Sequence, residues 1–169
     1  MKTPLTFLLS LTFLFLFSGS VYGQEEVEKK YWDNGNLKSE VHWKDGKRDG
    51  LETYWHESGK KQSEFHYKNG ELDGLCISWY RSGQKSREAY YKNGKRERLL
   101  IFYLSGKKQR EEHYKNGEKD GLETYWWNKT GKKKYTKHFK DGIEHGIRKE
   151  WNEDGKKTFQ GNFVDGNED

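Results

Sequence analysis

The 169-residue sequence predicts an all-β fold: an elongated antiparallel β-meander of six hairpin repeats, each about 24 residues long, after a cleaved signal peptide. Three observations carry that prediction. First, Gly35, Gly59, Gly83, Gly106, Gly131 and Gly155 are spaced by 24, 24, 23, 25 and 24 residues, and a second glycine stands eleven residues after each: Gly46, Gly70, Gly94, Gly117, Gly142 and Gly166. Second, aromatics keep the same register. Tyr31, Trp55, Trp79, Phe102, Trp127 and Trp151 stand four residues before the first glycine, and Trp43, Tyr67, Tyr91, Tyr114, Phe139 and Phe163 stand eight after it. Third, no stripe of helical period appears after the N-terminal segment, whereas short β-prone runs such as Leu75–Tyr80 recur.

The N-terminal segment comes first. Met1 and Lys2 give a short positive start, Leu5–Phe17 is an uncharged apolar run, and Val21-Tyr22-Gly23 is a plausible cleavage box. An apolar run of about 13 residues falls short of the ~20 that a spanning helix requires, so a cleaved signal over 1–23 is expected rather than an anchor. No cysteine lies near the cut, so lipid attachment at a new N-terminal Cys is not expected. An acidic, polar lead-in follows at 24–29.

The repeats then fill 30–169, over approximately 30–50, 51–74, 75–98, 99–121, 122–146 and 147–169. In each, one strand leads to a polar turn at the first glycine. A second strand, such as Lys61–Lys68, ends at Asn-Gly or Asp-Gly, dipeptides whose tolerance of positive φ suits a tight hairpin turn. A third glycine follows four residues later at Gly50, Gly74, Gly121 and Gly146, and Arg98 replaces it in the third unit. At ~4.8 Å per strand, about twelve strands make a sheet about 55–60 Å long. The aromatics are expected to stack as one ladder along a single face, replacing the aliphatics that the composition lacks, with adjacent rings adding ~0.5–1.5 kcal/mol per pair. Stability is then a sum of nearest-neighbour terms.

Composition narrows the function. The chain has 32 Lys and Arg against 27 Asp and Glu, a formal net charge of +5 with the signs interspersed, which is not the block of positive charge that nucleic-acid binding uses. The single Cys76 rules out an intrachain disulfide framework and reads as a buried small hydrophobe.

The units resemble the MORN repeat (membrane occupation and recognition nexus), specifically its bacterial variant. The resemblance rests on Tyr/Trp-x-x-x-Gly-Lys followed by aromatic-Lys-Asn-Gly-x-x-Asp-Gly. It is clearest in WHESGKKQSEFHYKNGELDGL at 55–75 and present again in WNKTGKKKYTKHFKDGIEHGI at 127–147. The eukaryotic Tyr-x-Gly-x-Trp segment has only an echo, at Phe159-Gln160-Gly161-Asn162-Phe163. The resemblance implies a gently twisted β-meander. For eukaryotic members it implies membrane, phosphoinositide or scaffolding roles, and for the bacterial variant an antitoxin-type label.

The candidate sites fall into columns. His42, His66, His113 and His138 stand seven residues after the first glycine, but equivalent positions lie two strands apart, roughly 9.6 Å, too far to share a metal ion. They alternate with the second aromatic column and are expected on the other face. Rows of lysines (Lys44, Lys68, Lys92, Lys115, Lys140; Lys60, Lys85, Lys107, Lys132, Lys156) suit a polyanion, but Glu40, Glu64, Glu88 and Glu111 form a parallel column, as on any charged β-surface. No nucleophile triad, phosphate-cradling loop or metal motif is present, and no enzyme, catalytic residue, metal or cofactor is expected. The search moves to where the repeat breaks: Arg96-Glu97-Arg98 with the apolar run Leu99-Leu100-Ile101-Phe102, and Trp126-Trp127 beside a one-residue insertion with Lys132-Lys133-Lys134. Arg96, Arg98, Leu99, Ile101, Trp126, Lys132, Lys133 and Lys134 are the candidate partner contacts. The expected function is an exported, non-enzymatic scaffold that binds a protein, antitoxin- or immunity-like if that protein is a toxin. The alternative is an envelope-associated adhesin or binding module for a glycan or anionic lipid. No nucleic-acid partner is expected.

Overall fold

The computed structural model describes residues 23–103 and 105–169. The expected signal peptide, Gly23 apart, lies outside the described residues. Unit one holds β1 (Glu25–Tyr31), β2 (Leu37–Lys44) and β3 (Lys47–Arg48). Unit two holds β4 (Gly50–Trp55), β5 (Lys61–Lys68) and β6 (Glu71–Leu72). Unit three holds β7 (Gly74–Trp79) and β8 (Lys85–Lys92). Unit four holds β9 (Lys95–Phe102), β10 (Lys108–Lys115) and β11 (Glu118–Lys119). Unit five holds β12 (Gly121–Trp126), β13 (Lys133–Lys140) and β14 (Ile143–Glu144). Unit six holds β15 (Gly146–Trp151), β16 (Lys157–Val164) and β17 (Asn167–Glu168). All seventeen strands lie in one sheet. The pairs β1–β2, β2–β4, β4–β5, β5–β7, β7–β8, β8–β9, β9–β10, β10–β12, β12–β13, β13–β15 and β15–β16 are all antiparallel, which is the all-β meander expected.

Two turn types alternate. At the first glycine, the Gly35 N–H donates to Trp32 O and the Trp32 N–H to Asn36 O, with Gly35 at φ 84°. This is a type I turn closed by a left-handed residue and a bulge, the usual three-residue hairpin loop. At the second glycine both central residues have positive φ, as in Asn69 at 52° and Gly70 at 91°. That is a type I′ turn, whose twist matches the strands it joins. Successive turns also bond to one another: the Gly70, Gly94, Gly142 and Gly166 N–H groups donate to Arg48, Leu72, Lys119 and Glu144 carbonyls of the preceding unit.

The third glycine has a steric cause. Gly74 sits at φ 118°, and a Cβ there would lie 3.2 Å from His66 Cβ; Gly50, Gly121 and Gly146 stand in the same way against His42, His113 and His138. Where Arg98 replaces this glycine, the histidine is replaced too, by Tyr90, and the guanidinium lies 4.3 Å from that ring centroid. Without the glycine bend the short strand and the next long one fuse into continuous β9.

The single aromatic ladder is corrected. Gly50 pairs with Tyr67, and Trp55 lies five residues further along the same strand, so the two rings project from opposite faces. Tyr67 and its equivalents define a tyrosine face. Trp55, Trp79, Phe102, Trp126 and Trp151 lie on the other, histidine face. On the tyrosine face the column rings do not stack on one another, because side chains of the short strands lie between them. Arg48 lies 5.8 Å from the Trp43 and 5.3 Å from the Tyr67 ring centroid, and Arg96 5.7 Å from Tyr91 and 5.3 Å from Tyr114. Cation–π contacts therefore link rings of the column, while ring pairs form with other residues of the same face, Tyr54 with Phe65, Tyr125 stacked on Tyr135 at 5.2 Å, and Phe159 with Phe163.

Trp127 also moves. The extra residue lies in the turn itself, where the Gly131 N–H donates to Trp127 O and the Trp127 N–H to Lys132 O. Counting back from Gly131 is therefore one residue out, and Trp126, paired with Lys133, ends the strand in the place expected for Trp127. Trp127 joins a column of strand-following residues, Trp32, His56, Tyr80 and Tyr103.

Candidate functional site

The tyrosine face carries a central row that runs across the strands: Val41, Glu52, Phe65, Cys76, Ala89, Leu99, Glu112, Glu123, Lys137, Arg148. Direct pairing links Glu52 to Phe65, Cys76 to Ala89, Ala89 to Leu99, Leu99 to Glu112 and Glu123 to Lys137. Its middle is apolar and its arms are charged. Cys76, Ala89 and Leu99 form the buried cluster, packed by Phe65, Leu72, Tyr91, Ile101 and Tyr114. Because Cys76, Ser78 and Ala89 are small, the surface dips there into a concavity of about 170 Å3, walled by Phe65 and Tyr91 and rimmed by Arg87. Burial pushes the Cys76 thiol up, so it is a weak nucleophile at neutral pH, as expected for a small hydrophobe.

The charged arms are largely paired internally, although Glu52 Oε2, Arg110 Nε and Glu144 Oε1 are buried without a hydrogen-bond partner among the described residues. On one side Glu52, 2% exposed, receives the Tyr54 hydroxyl and faces Arg48 at 3.3 Å, while Arg48 reaches the Tyr67 hydroxyl at 3.2 Å. The carboxylate bond and burial push Tyr54 up to about 12. On the other side Lys119 sits between two buried carboxylates, 2.7 Å from Glu112 and bonded to Glu123. The Tyr114 hydroxyl donates to Glu112 at 2.9 Å and the Tyr135 hydroxyl to Glu123 at 3.0 Å. Burial pushes the Glu112 carboxyl up, but Lys119 and Tyr114 together outweigh it and hold it below the usual carboxylate range. Two ionised carboxylates buried this close are stable only because a cation lies between them. Glu52 and Glu123 occupy the same place in two copies of one hexapeptide, GLETYW, at 50–55 and 121–126.

The expected contact residues divide between the faces. Arg96, Leu99 and Ile101 belong to the tyrosine face; Leu99 is buried against Cys76 and Ala89, and Arg96 is held between Tyr91 and Tyr114. Arg98, paired with Tyr90, belongs to the histidine face, as do Trp126 and Lys133. Lys132 Nζ donates to Asp154 O at 2.7 Å, and Lys134 Nζ lies 4.4 Å from the Trp127 ring centroid. The two breaks in the repeat therefore do not form one surface.

The lysine and histidine columns are largely self-contained. Lys60 and Lys107 reach carbonyls of the next turn, as Lys132 does. Lys61, Lys85 and Lys108 pair with Glu64, Glu88 and Glu111. His66, His113 and His138 each bond through Nδ1 to the carbonyl of Leu75, Leu122 or Ile147 on the next strand. Among the described residues, no group of three or more His, Cys, Asp or Glu converges where a metal ion would sit.

Sequence reasoning missed one column altogether. Trp32 Nε1 donates to Trp55 O, the Tyr80 hydroxyl to Phe102 O, the Tyr103 hydroxyl to Trp126 O and Trp127 Nε1 to Trp151 O. Each side chain ties its repeat to the next through the carbonyl that ends the next strand. His56 stands in the same column, and its buried Nε2 has no hydrogen-bond partner among the described residues. The recurrence of Trp or Tyr three residues before the first glycine was the available signal, hidden by the insertion before Gly131.

With this geometry in place, the relationship to known proteins is direct. A family model described as the MORN repeat variant matches residues 27–45, 48–69, 72–93, 99–116 and 144–165, more than half of the chain. The chain belongs to the MORN repeat variant family. None of these matched segments includes 117–143, which contains the longer turn, yet β12 and β13 pair there as a MORN hairpin like the others. No curated protein matches the sequence. As a MORN-repeat array the chain is a repeat scaffold, with one charge lattice on either side of one apolar dip.

Proposed function

We propose that this chain is an exported, non-enzymatic scaffold that holds a protein partner on its tyrosine face. The observation that carries this reading is the concavity of about 170 Å3 at Phe65, Cys76, Ser78, Arg87, Ala89 and Tyr91. It is the one stretch of the central row where apolar side chains replace charge. Its rim holds Arg87, an exposed guanidinium for which no protein partner is seen among the described residues. That combination suits a partner segment with one apolar anchor next to a carboxylate, since interface energy concentrates in filled pockets flanked by charge complementarity. An antitoxin or immunity role is the special case in which the partner is a toxin.

The test uses Ser78→Arg, which fills the dip from its half-buried Ser78 wall, and Arg87→Glu, which reverses its rim. Both variants should keep the parent melting temperature and lose a stoichiometric partner that the parent chain retains after export. A partner retained equally by both variants would sink the reading. Fractionation of cells expressing the full chain tests export, which predicts a mature chain lacking the N-terminal segment outside the cytoplasm.

A second reading, an envelope-associated module that binds a glycan or anionic lipid, is favoured by a different observation. At the C-terminal end of the histidine face the Lys–Glu pairing stops.

A further inference from the structure

In units two to four, each histidine-face lysine at the start of the second strand is neutralised three residues later: Lys61 by Glu64, Lys85 by Glu88 at 2.6 Å, Lys108 by Glu111 at 3.3 Å. In unit five the acidic position is Thr136, and in unit six it is Gln160, whose Oε1 accepts from Lys157 Nζ at 2.8 Å. Lys149 lies between them, paired with Thr136 on one side and Gln160 on the other. The histidine-face positions of β12, β13, β15 and β16 (Leu122, Thr124, Trp126; Lys133, Thr136, His138; Ile147, Lys149, Trp151; Lys157, Gln160, Asn162) include no carboxylate. Lys133 and Lys149 have no carboxylate partner among the described residues.

A shallow, open cleft lies at the same place. It measures about 400 Å3 and is lined by Lys132, Lys133, Trp151, Asp154 and Gly155. Gly155 lets the Lys132 stem lie across the next turn, since a Cβ there would meet Lys132 Cδ at 3.1 Å. Lys132 Nζ spends one donor on Asp154 O and keeps two. An aromatic side chain, free ammonium donors and the exposed Asp154 therefore border one shallow site.

We propose that this cleft binds an acidic sugar residue of a glycan, with the ring against Trp151, its carboxylate met by Lys133 and Lys132, and a ring hydroxyl donating to the Asp154 carboxylate. The inference rests on the envelope-binding reading, not on the protein-partner one. Two features select a sugar over a lipid surface. Trp151 presents an apolar face suited to a pyranose ring, in the way that aromatic residues line small-ligand pockets. Asp154 supplies an acceptor that a hydroxyl satisfies and a dense array of phosphates would not.

Calorimetric titration of the full chain with a galacturonate oligosaccharide, its methyl-esterified neutral form and phosphatidylglycerol vesicles tests the proposal. Binding of the acidic oligosaccharide alone is expected, with a change in tryptophan fluorescence. Thr136→Glu installs the ion pair that units two to four already use, so it should fold and weaken binding by about tenfold or more, the loss of one charge-assisted contact. Lys133→Gln, at an exposed position, should do the same, and Trp151→Leu should abolish binding. Equal binding of the neutral ester, or unchanged affinity in both Thr136→Glu and Lys133→Gln, overturns the inference. Binding to vesicles but not to the oligosaccharide overturns it while leaving the envelope-binding reading standing, and binding to neither removes both.

Discussion

Trp32 Nε1 donates to the main-chain carbonyl of Trp55 at 3.1 Å, tying one repeat to the next. Tyr80, Tyr103 and Trp127 repeat the contact, and His56 stands in the column with a buried, unpartnered Nε2. His56→Tyr should therefore place a hydroxyl where Tyr80 and Tyr103 hold theirs and stabilise the protein by about 0.5–1.5 kcal/mol, the net worth of one hydrogen bond. Urea denaturation of the parent and the variant decides it. No gain, or a loss, would show that the Trp79 carbonyl lies out of reach.

Glycine positions should divide by what surrounds them. Gly74→Ala meets His66 Cβ at 3.2 Å and a φ of 118°, whereas Gly117→Ala, at φ 92°, meets nothing within 4 Å. Both carry backbone strain of about 1–3 kcal/mol, and Gly74→Ala adds a clash. The midpoint of denaturation should fall further for Gly74→Ala than for Gly117→Ala. Equal falls would remove the steric reason for the third glycine.

Lys119 is the bridge of the second charge lattice, lying between Glu112 and Glu123. Lys119→Met should cost about 3–5 kcal/mol at pH 7, because it leaves two buried carboxylates without their shared cation. The variant should become relatively more stable on mild acidification, since protonating one carboxyl relieves the repulsion. A pH-independent deficit would contradict this account.

The parent protein should show the opposite acid response in the same region. The Glu112 carboxyl is held below its ordinary range in the folded state, so it contributes stability above the unfolded-state value near 4.5 and loses it as pH falls through the folded value. Urea titrations between neutral pH and about pH 3 should show stability declining over that window. Glu112→Gln should flatten the decline. Tyr54 has the converse sign. Its folded value, about 12, lies above the ordinary 10.0, so its contribution is present below pH 10 and is lost as pH rises toward 12.

Cys76 should react with a thiol reagent only as fast as the sheet opens, because the thiol is 5% exposed and pushed up by burial. Labelling should accelerate in parallel with unfolding as denaturant is added. Fast labelling of the native protein would mean that the concavity reaches Sγ more openly than its walls allow.

Much of the architecture was legible because it depends on local rules. Asn69-Gly70 marks a type I′ turn, since both residues accept positive φ, and the strand Lys61–Lys68 follows from its β-prone residues and its flanking turns. The expectation that the histidines and the second aromatic column face opposite ways also holds, because it rests on the strand's period of two. The same period, carried from Gly50 to Trp55, would have separated the two aromatic columns. A single ladder is incompatible with the offset of five, an odd number, that separates those positions. Trp127 was misplaced because an insertion inside a turn shifts a count made from the glycine without moving the strand before it.

The candidate site was less legible. Arg96, Leu99 and Ile101 were recognisable as a break in the repeat, but neither their burial nor the dip beside them follows from the break. Ser78, Cys76 and Ala89 create the dip because three small residues come together between Phe65 and Tyr91, and which residues come together is settled by pairing. The missing acid at Thr136 could have been read by aligning the lysine columns, but its consequence depends on Trp151 and the turn at Gly155 lying alongside.

By itself, then, the sequence determined the repeat, its strands, its turns and the family, because each depends on residues within one hairpin. Only the tertiary structure decided which face each ring occupies, that Arg48 and Arg96 intervene between successive rings of the tyrosine column, that Lys119 joins two buried carboxylates, and where the sheet dips. Those features arise between strands from different repeats, where strand register and side-chain volume, not local conformational preference, determine which groups meet.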